Sequence, residues 1–401
     1  MIVSIKVSIM DDKYMQAALK LAQRGVGSVE PNPAVGCIIV KAGRVIGRGW
    51  HKRFGAAHAE INALEDCKRL GVSPRGATMY VSLEPCCHYA KTPPCTDAII
   101  DAGLAKVVVA TIDPSEHANG KGIEQLRSAG IEVQTGICET QARLLNAPFI
   151  KFAATGRCWV ILKWAQSIDG KMAWADQNNA RRWISGEQSR KDVHKLRRRA
   201  AAILVGINTV LADNPLLTAR PVRSPHRKST SPPEGLLSNG ARPSKGKKLT
   251  RIVLDSKLRI PLDCELLATA KKVPLLILTS RQTVQTNPQT AEAISKKGAE
   301  LLVFPDTPGQ SNLCFLLDEL SKRGIAQLLV EGGPKVISSF LKERLADEIC
   351  VYIAPKILGC QGAVNIAEPM AELTETIGLN YVNIKRFGDD VCLTGLLNNG
   401  T

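Results

Sequence analysis

His58-Ala59-Glu60 sets an imidazole and a carboxylate two residues apart, and Glu84-Pro85-Cys86 is followed nine residues later by Cys95. One imidazole and two thiolates make a three-ligand zinc set that leaves a fourth position for water. Zinc lowers the pKa of a water held there toward about 7. If His58 and Glu60 open a helix, both can face one cavity. Glu60 can then take the water's proton and pass it to a leaving amine. Each piece alone is weak, because His-x-Glu is commonly surface polarity and Pro-Cys is often a buried thiol. Their order, with the second cysteine ending Thr92-Pro93-Pro94-Cys95, argues instead for a metal site. His58, Cys86 and Cys95 would be the ligands and Glu60 the catalytic group. Cys87 adjoins Cys86 too closely to serve as a second ligand without strain.

The elements that must hold this set follow from periodicity. A helix is expected over 12–25, with Tyr14, Met15, Ala18, Leu19 and Ala22 at helical spacing, Asp11 or Asp12 as N-cap and Gly25 as stop. Strands over 35–40 and 44–50 meet at Ala42-Gly43 as a hairpin. A helix over 58–70, a strand over 78–83, a helix over 96–102, a strand over 106–110, a helix over 122–129 and a strand over 131–134 complete a helix-layered sheet. The register restarts at 148–157, which places a domain boundary near 147–157. A strand over 159–164, a helix over 189–199 and a strand over 202–205 follow. After a long insert come strands over 251–255, 274–279, 300–304, 327–330 and 349–353, and helices over 290–297, 311–322 and 334–343. This alternation puts both halves in the α/β class.

The length of 401 residues exceeds one ordinary core, so two domains are expected, 1–150 and 151–401. Aromatics make up only 4%, so the cores rest on Val, Ile, Leu and Ala, which suits parallel α/β layers. The twelve cysteines are scattered, unlike the framework of a small secreted domain. Met1 to Met10 has neither the apolar core nor the cleavage site of a signal peptide, and no apolar run reaches the roughly 18 residues of a membrane span. A cytoplasmic, thiol-reducing location without membrane contact is the expectation. The net charge of +16 raises the question of nucleic acid. From Arg220 to Arg251, however, nine Lys/Arg stand against Glu234 alone, a net +8 in one stretch. That stretch is also rich in Pro, Ser and Gly, and reads as a basic flexible insert at about 221–250 rather than a binding groove.

The H-x-E…P-C pattern is that of zinc nucleobase deaminases, whose second cysteine normally comes three residues after the first. The longer loop here, Pro85-Cys86-Cys87-His88-Tyr89-Ala90-Lys91-Thr92-Pro93-Pro94-Cys95, resembles the pyrimidine deaminase of riboflavin synthesis. Pro31-Asn32-Pro33-Ala34-Val35-Gly36, His51 and Asp113-Pro114 fall in that family's order. The resemblance implies a cytidine-deaminase-like three-layer domain in which Asn32, His51, His88 and Lys91 hold an aminopyrimidine and its ribose phosphate. The chemistry is apt, since an amide reads an amide-like base edge and a lysine neutralises phosphate. Ala90 stands where the family usually has Gly, and Ser115-Glu116 where it usually has Asn-Pro.

In the second half, Lys163 to Lys171, Trp183-Ile184-Ser185-Gly186, His194 to Arg197, Ile203 to Arg220 and Leu328 to Pro334 resemble, in order, the reductase of the same pathway. That resemblance covers most of 158–360. It implies a dihydrofolate-reductase-like domain that uses NADPH. By position, Ala165, Trp183, Thr209, Asp213, Ser256 and the run Gly333, Pro334, Lys335, Val336, Ile337, Ser338, Ser339 would contact the cofactor. Arg197, Leu217, Arg220 and Glu331 would contact the substrate, with Lys163 facing the same cleft. Glycines at a strand-to-helix turn let phosphate approach the backbone, and arginines suit a ribose phosphate. Arg181 stands where the family often has a substrate-touching Ser.

The two resemblances imply a bifunctional enzyme of riboflavin biosynthesis with Zn2+ and NADPH as cofactors. The first domain would deaminate 2,5-diamino-6-(5-phosphoribosylamino)pyrimidin-4-one, and the second would reduce the ribosyl group to ribityl. Small phosphorylated pyrimidines would be its partners, with no nucleic acid, and it would form a homo-oligomer. Two alternatives stand beside this. A tRNA base deaminase would share the zinc chemistry and use the positive charge, but leaves 158–360 without a role. A scaffold with one inactive domain would deaminate without ever oxidising NADPH.

Overall fold

The computed structural model describes residues 9–89, 93–176, 183–219, 249–305, 311–371 and 373–398. They fall into two compact units, Met1–Gly156 and Arg157–Thr401. Lys91, Arg181, Arg220, Ala90 and all of the basic insert up to Lys248 lie outside the described residues.

The first unit runs α1 (Ile9–Ala22), β1 (Gly36–Lys41), β2 (Arg44–Trp50), α2 (Ala59–Arg69), β3 (Thr78–Val81), α3 (Cys95–Asp101), β4 (Lys106–Val109), α4 (Lys121–Ser128), β5 (Glu132–Thr135), α5 (Glu139–Leu145) and α6 (Ala147–Thr155). Among its described residues five strands lie in the order β2-β1-β3-β4-β5. β1 pairs antiparallel with β2 and β3, and β3, β4 and β5 are parallel. Alternate residues of β1 feed opposite layers, as the period of two demands. Cys37 and Ile39 pack with Ala59, Ala63, Ile99 and Leu126 of α2, α3 and α4. Ile38 and Val40 pack with Met15, Ala18 and Leu19 of α1 and Ala142 of α5. The sheet is therefore covered on both faces.

The first helix starts and stops three residues earlier than its spacing predicted. Asp11 and Asp12 lie inside the first turn, where carboxylates favour the helix dipole, rather than at the N-cap. The end unwinds through turns closed by Gln23, Arg24 and Gly25, whose amides reach Leu19, Leu21 and Ala22.

Two strand glycines set how closely α2 approaches. A Cβ on Gly49 would lie 2.1 Å from the Ala59 carbonyl oxygen and 2.4 Å from the Ala63 nitrogen, and one on Gly47 would lie 2.5 Å from the Ala63 oxygen. Glycine in a strand interior often marks such an approach of another backbone. Because α2 begins directly after His58, its seating fixes where His58 and Glu60 lie. Gly49→Ala is expected to push α2 outward. It should cost about 1–3 kcal/mol of first-unit stability, as overpacking does, and lower zinc content. Metal analysis and denaturant unfolding of the purified variant check both effects.

The second unit comprises β6 (Trp159–Ser167), β7 (Lys171–Trp174), α7 (Glu187–Arg199), β8 (Ala202–Gly206), α8 (Ile207–Asp213), β9 (Thr250–Leu254), α9 (Glu265–Ala268), β10 (Leu275–Ser280), α10 (Arg281–Thr286), α11 (Pro288–Lys296), β11 (Glu300–Phe304), α12 (Asn312–Lys322), β12 (Gln327–Val330), α13 (Pro334–Lys342), β13 (Glu348–Ala354), β14 (Gly362–Asn365), α14 (Ala367–Met370), β15 (Leu379–Phe387) and β16 (Asp390–Leu397). Among the described residues nine strands form one sheet, in the order β11-β10-β9-β8-β12-β6-β13-β16-β15. The seven from β11 to β13 are parallel, and β16 pairs antiparallel with β13 and β15. One face buries Val160, Leu162, Leu204 and Leu328 against Leu316, Ile337 and Phe340. β8 to β11 build outward on one side of β6, β13 builds on the other, and β12 inserts between β8 and β6. Such a reversal leaves a crevice at the carboxyl ends of the strands.

The hairpin of β15 and β16 was not anticipated. β15 is largely exposed along its length, and its pairing slips between Asn380 and Asn383. A strand with no buried face carries no alternation to read.

Candidate active sites

His58 is the residue before the first turn of α2, with extended backbone, and Cys95 opens α3. Cys86 lies on the turn after β3. The Cys86 and Cys95 sulfurs lie 3.5 and 3.3 Å from His58 Nδ1, and the Cys95 backbone N–H reaches Cys86 Sγ at 3.3 Å. The three ligand atoms lie within 4.8 Å of one another. Asn62 holds the approach to α2 in place, donating from Nδ2 to the carbonyls of Trp50, Ala57 and His58.

The electrostatics suit a cation at this point. Cys86 is pulled down to about 4, first by the Cys95 thiol that bonds to it and then, against burial, by His58. Cys95 is pushed up, first by its bond to Cys86 and then by burial. The pair thus gives up one proton easily and keeps the other, and a bound dication would release both. Glu60 is only 3% exposed, and its Oε2 has no hydrogen-bond partner. Burial pushes its carboxyl up to about 7. The donor set and this unpartnered carboxylate oxygen fit zinc together with a water beside it.

His51 and Asn32 border the same site. The His51 ring meets His58 edge-on at 5.3 Å between centroids. Its Nδ1 lies 3.1 Å from the Ala57 carbonyl and its Nε2 lies 3.4 Å from Asn32 Nδ2. An Nδ1–H donating to Ala57 leaves Nε2 as the acceptor for Asn32. Burial lowers the His51 pKa, which keeps the ring neutral. His88 is exposed and pairs with His117 at 5.4 Å.

Several positioning residues went unread in the sequence. Asn146 is buried, accepting from the Ala34 N–H at 2.8 Å and donating to the Ala34 carbonyl at 3.0 Å, and so pins the segment that carries Asn32. No local pattern marks this residue, which acts across 112 positions of chain. Asn146→Ala is expected to raise the deamination KM about 10-fold with a smaller change in kcat, in line with the ~1–3 kcal/mol of leaving buried backbone groups unpaired. Steady-state kinetics of the zinc-loaded variant measure the split. Glu84 accepts from four backbone N–H groups of the 113–123 segment.

In the second unit, Glu331 follows β12 and is gripped by Arg197 of α7, Nε to Oε1 at 2.6 Å and Nη2 to Oε2 at 2.9 Å. Arg197 Nη1 also donates to the Thr218 carbonyl at 3.1 Å. Lys163 Nζ stands 3.8 Å from Glu331 and over the Tyr352 ring at 5.8 Å. Tyr352 in turn donates to Asp192 at 2.9 Å. Burial would raise the Glu331 carboxyl, but Arg197, Lys163 and His194 hold it down at about 2. The Nε–Nη2 edge of Arg197 is committed to Glu331, so only its outer Nη protons face other groups. Leu217 is buried, with a left-handed φ of 48°, and leads into Thr218.

Three of the other named positions follow the carboxyl ends of β8, β9 and β12. Thr209 lies in α8, Ser256 follows β9, and Gly333 precedes α13 with Pro334 in its first turn. A Cβ on Gly206 or Gly332 would lie 2.9 or 2.7 Å from the Val336 side chain, so both glycines keep α13 close to the strand ends. A Cβ on Gly333 would meet nothing nearer than Thr209 Oγ1 at 4.0 Å. Ile337 points into the core, Ser338 Oγ donates to the Pro369 carbonyl and Ser339 Oγ to the Lys335 carbonyl. Pro334 has no N–H, and the Val336 and Ile337 N–H groups donate to the Gly333 carbonyl, so a phosphate at this helix start would meet the Gly333 and Lys335 N–H groups. Ala165 sits on β6 beside Tyr352, and Asp213 closes α8. Trp183 is exposed under the Arg190 guanidinium, 5.3 Å from its ring centre.

Two family models match the chain, the cytidine and deoxycytidylate deaminase zinc-binding region over residues 8–111 and the RibD C-terminal domain over 158–393. Fold and site thus define a zinc-region deaminase unit followed by a reductase-type unit. The riboflavin biosynthesis protein RibD of Aquifex aeolicus (strain VF5) is 40% identical over 385 residues, covering 96% of this chain and 98% of its own. That of Escherichia coli (strain K12) is 36% identical, covering 96% and 99%. The chain belongs to the RibD family. Among solved structures, Acinetobacter baumannii RibD superposes with a TM-score of 0.77 at 35% identity, covering 97% of this chain and 99% of its own. A Thermotoga maritima protein described as a diaminohydroxyphosphoribosylaminopyrimidine deaminase/5-amino-6-(5-phosphoribosylamino)uracil reductase superposes at 0.76 and 32% identity, with coverage of 97% and 99%. The first unit has the cytidine-deaminase-like three-layer fold and the second the dihydrofolate-reductase-like fold that the sequence led us to expect.

Proposed function

We propose that this chain catalyses two successive steps of riboflavin biosynthesis, the hydrolytic deamination of 2,5-diamino-6-(5-phosphoribosylamino)pyrimidin-4-one and the NADPH-dependent reduction of its ribosyl group to ribityl. The observation that carries the first step is the convergence of His58, Cys86 and Cys95 beside a buried Glu60 whose Oε2 has no partner. His58, Cys86 and Cys95 hold the metal. Zinc, when bound, supplies the acidity that makes water a nucleophile at neutral pH. Glu60 takes up the proton at Oε2 and returns it to the departing amine, so one residue serves as base and then as acid. Asn32, His51, His88 and Lys91 hold the aminopyrimidine and its ribose phosphate.

NADPH, when bound, supplies the hydride for the second step. Thr209, Ser256 and the run Gly333 to Ser339 contact it, together with Ala165, Trp183 and Asp213. Lys163, Arg197, Leu217, Arg220 and Glu331 position the substrate, with the carboxylate of Glu331 held in place by Arg197. Ammonia release from the free pyrimidine nucleotide, but not from tRNA, followed by NADPH oxidation, is the expected pattern. Deamination of tRNA alone, or deamination without NADPH oxidation, would contradict it.

The enzyme works in the cytoplasm as a homo-oligomer. Its twelve cysteines are all free thiols, and among the described residues no helix is long and apolar enough to cross a membrane. β15 exposes Tyr381, Val382 and Ile384, an apolar edge of the kind a second copy would cover. Light scattering of the purified protein decides the assembly.

A further inference from the structure

Glu84 is a buried carboxylate, 4% exposed, that makes no ion pair among the described residues. Its partners are backbone N–H groups. Asp113 (3.2 Å) and Gly120 (2.9 Å) donate to Oε2, and Gly122 (2.9 Å) and Ile123 (3.4 Å) donate to Oε1. Its own N–H reaches the Thr111 carbonyl at 3.0 Å. Both oxygens are therefore occupied. What it holds is geometric. The next two residues are Pro85 and the metal-ligand candidate Cys86. From the other side, Gly122 comes so close that a Cβ there would lie 2.3 Å from the Pro85 carbonyl oxygen. The segment held in this way carries His117. The His117 ring pairs with His88, and its carbonyl accepts from the Cys87 thiol at 3.5 Å.

We infer that Glu84 is a positioning residue of the deaminase site. It ties the Pro85-Cys86 turn to the start of α4 and to the 113–120 loop, and so fixes both a metal ligand and the His88–His117 wall beside it. The inference rests on the zinc reading of His58, Cys86 and Cys95. A carboxylate is the only side-chain group with two acceptor oxygens and no donor. Glutamine would turn an NH2 group toward two N–H donors and release one side of the segment.

The test compares full-length wild-type, Glu84→Gln and Gly122→Ala proteins, with the reductase rate as a control for folding. In Glu84→Gln, amide exchange of the 113–123 segment should accelerate. Zinc should pass to a chelator about 10- to 100-fold more readily, the usual effect of losing a group that supports a metal ligand. The deamination KM should rise more than kcat falls. If Glu84→Gln does not fold, Gly122→Ala keeps the carboxylate but forces α4 off Pro85, and the same three changes are expected. Wild-type exchange, zinc retention and KM in whichever variant folds would overturn the inference. A wild-type protein that holds no zinc would sink the metal reading instead, and the exchange measurement would still decide the role of Glu84.

Discussion

Glu60→Gln is expected to retain zinc and lose deamination by about 10²- to 10⁴-fold, the contribution of a positioned proton-transfer group. Glutamine has the size and shape of glutamate, so α2 and the neighbouring ligand His58 should stay in place. What it lacks is a basic oxygen. In the native protein that oxygen is buried and unpartnered, two residues beyond a ligand, where burial favours the protonated form. A bound dication pulls the other way. The carboxyl is thereby suited to alternate between its two states during turnover. The reductase rate of the same preparation serves as the internal control. A zinc-loaded variant that deaminates at the wild-type rate would refute the proton-transfer role.

Arg197→Leu is expected to destabilise the second unit by about 3 kcal/mol, because it leaves Glu331 buried without its main partner. The sign follows from a folded-state pKa below the unfolded one. The pair's stabilisation is fully present above about pH 4.3 and is lost as pH falls through about 2. The difference between wild type and variant should therefore be largest near neutrality and shrink on acidification. Lys163, at 3.8 Å, recovers part of the loss but lacks the two-pronged grip. Denaturant unfolding followed across pH measures this directly. A difference that grows on acidification would show that Glu331 is not held ionised by Arg197.

The chemistry of the first unit was legible because its residues are rare types in a fixed order. His58, Glu60, Cys86 and Cys95 announce themselves without any knowledge of the fold. Their supports do not. Gly47 and Gly49 read as weak strand positions until α2 is seen lying on them. Asn146 and Glu84 are common polar residues whose partners are backbone groups far along the chain. In the second unit the parallel strands were legible as apolar runs, but strand order was not, since β12 inserts between β8 and β6 through contacts remote in sequence. The pairing of Arg197 with Glu331 was also invisible. Each was singled out as a substrate contact, and only the fold brings them together across 134 positions.

Mass measurement of the products after incubating the purified, zinc-loaded protein with the diaminopyrimidine ribosylamino phosphate, with and without NADPH, shows whether one chain carries both activities in sequence. Without NADPH the product should show replacement of one exocyclic NH by O and nothing more. With NADPH it should also carry two added hydrogens on the sugar portion. An unchanged substrate in both reactions, or a deaminated product that never gains hydrogen when NADPH is present, would contradict the account.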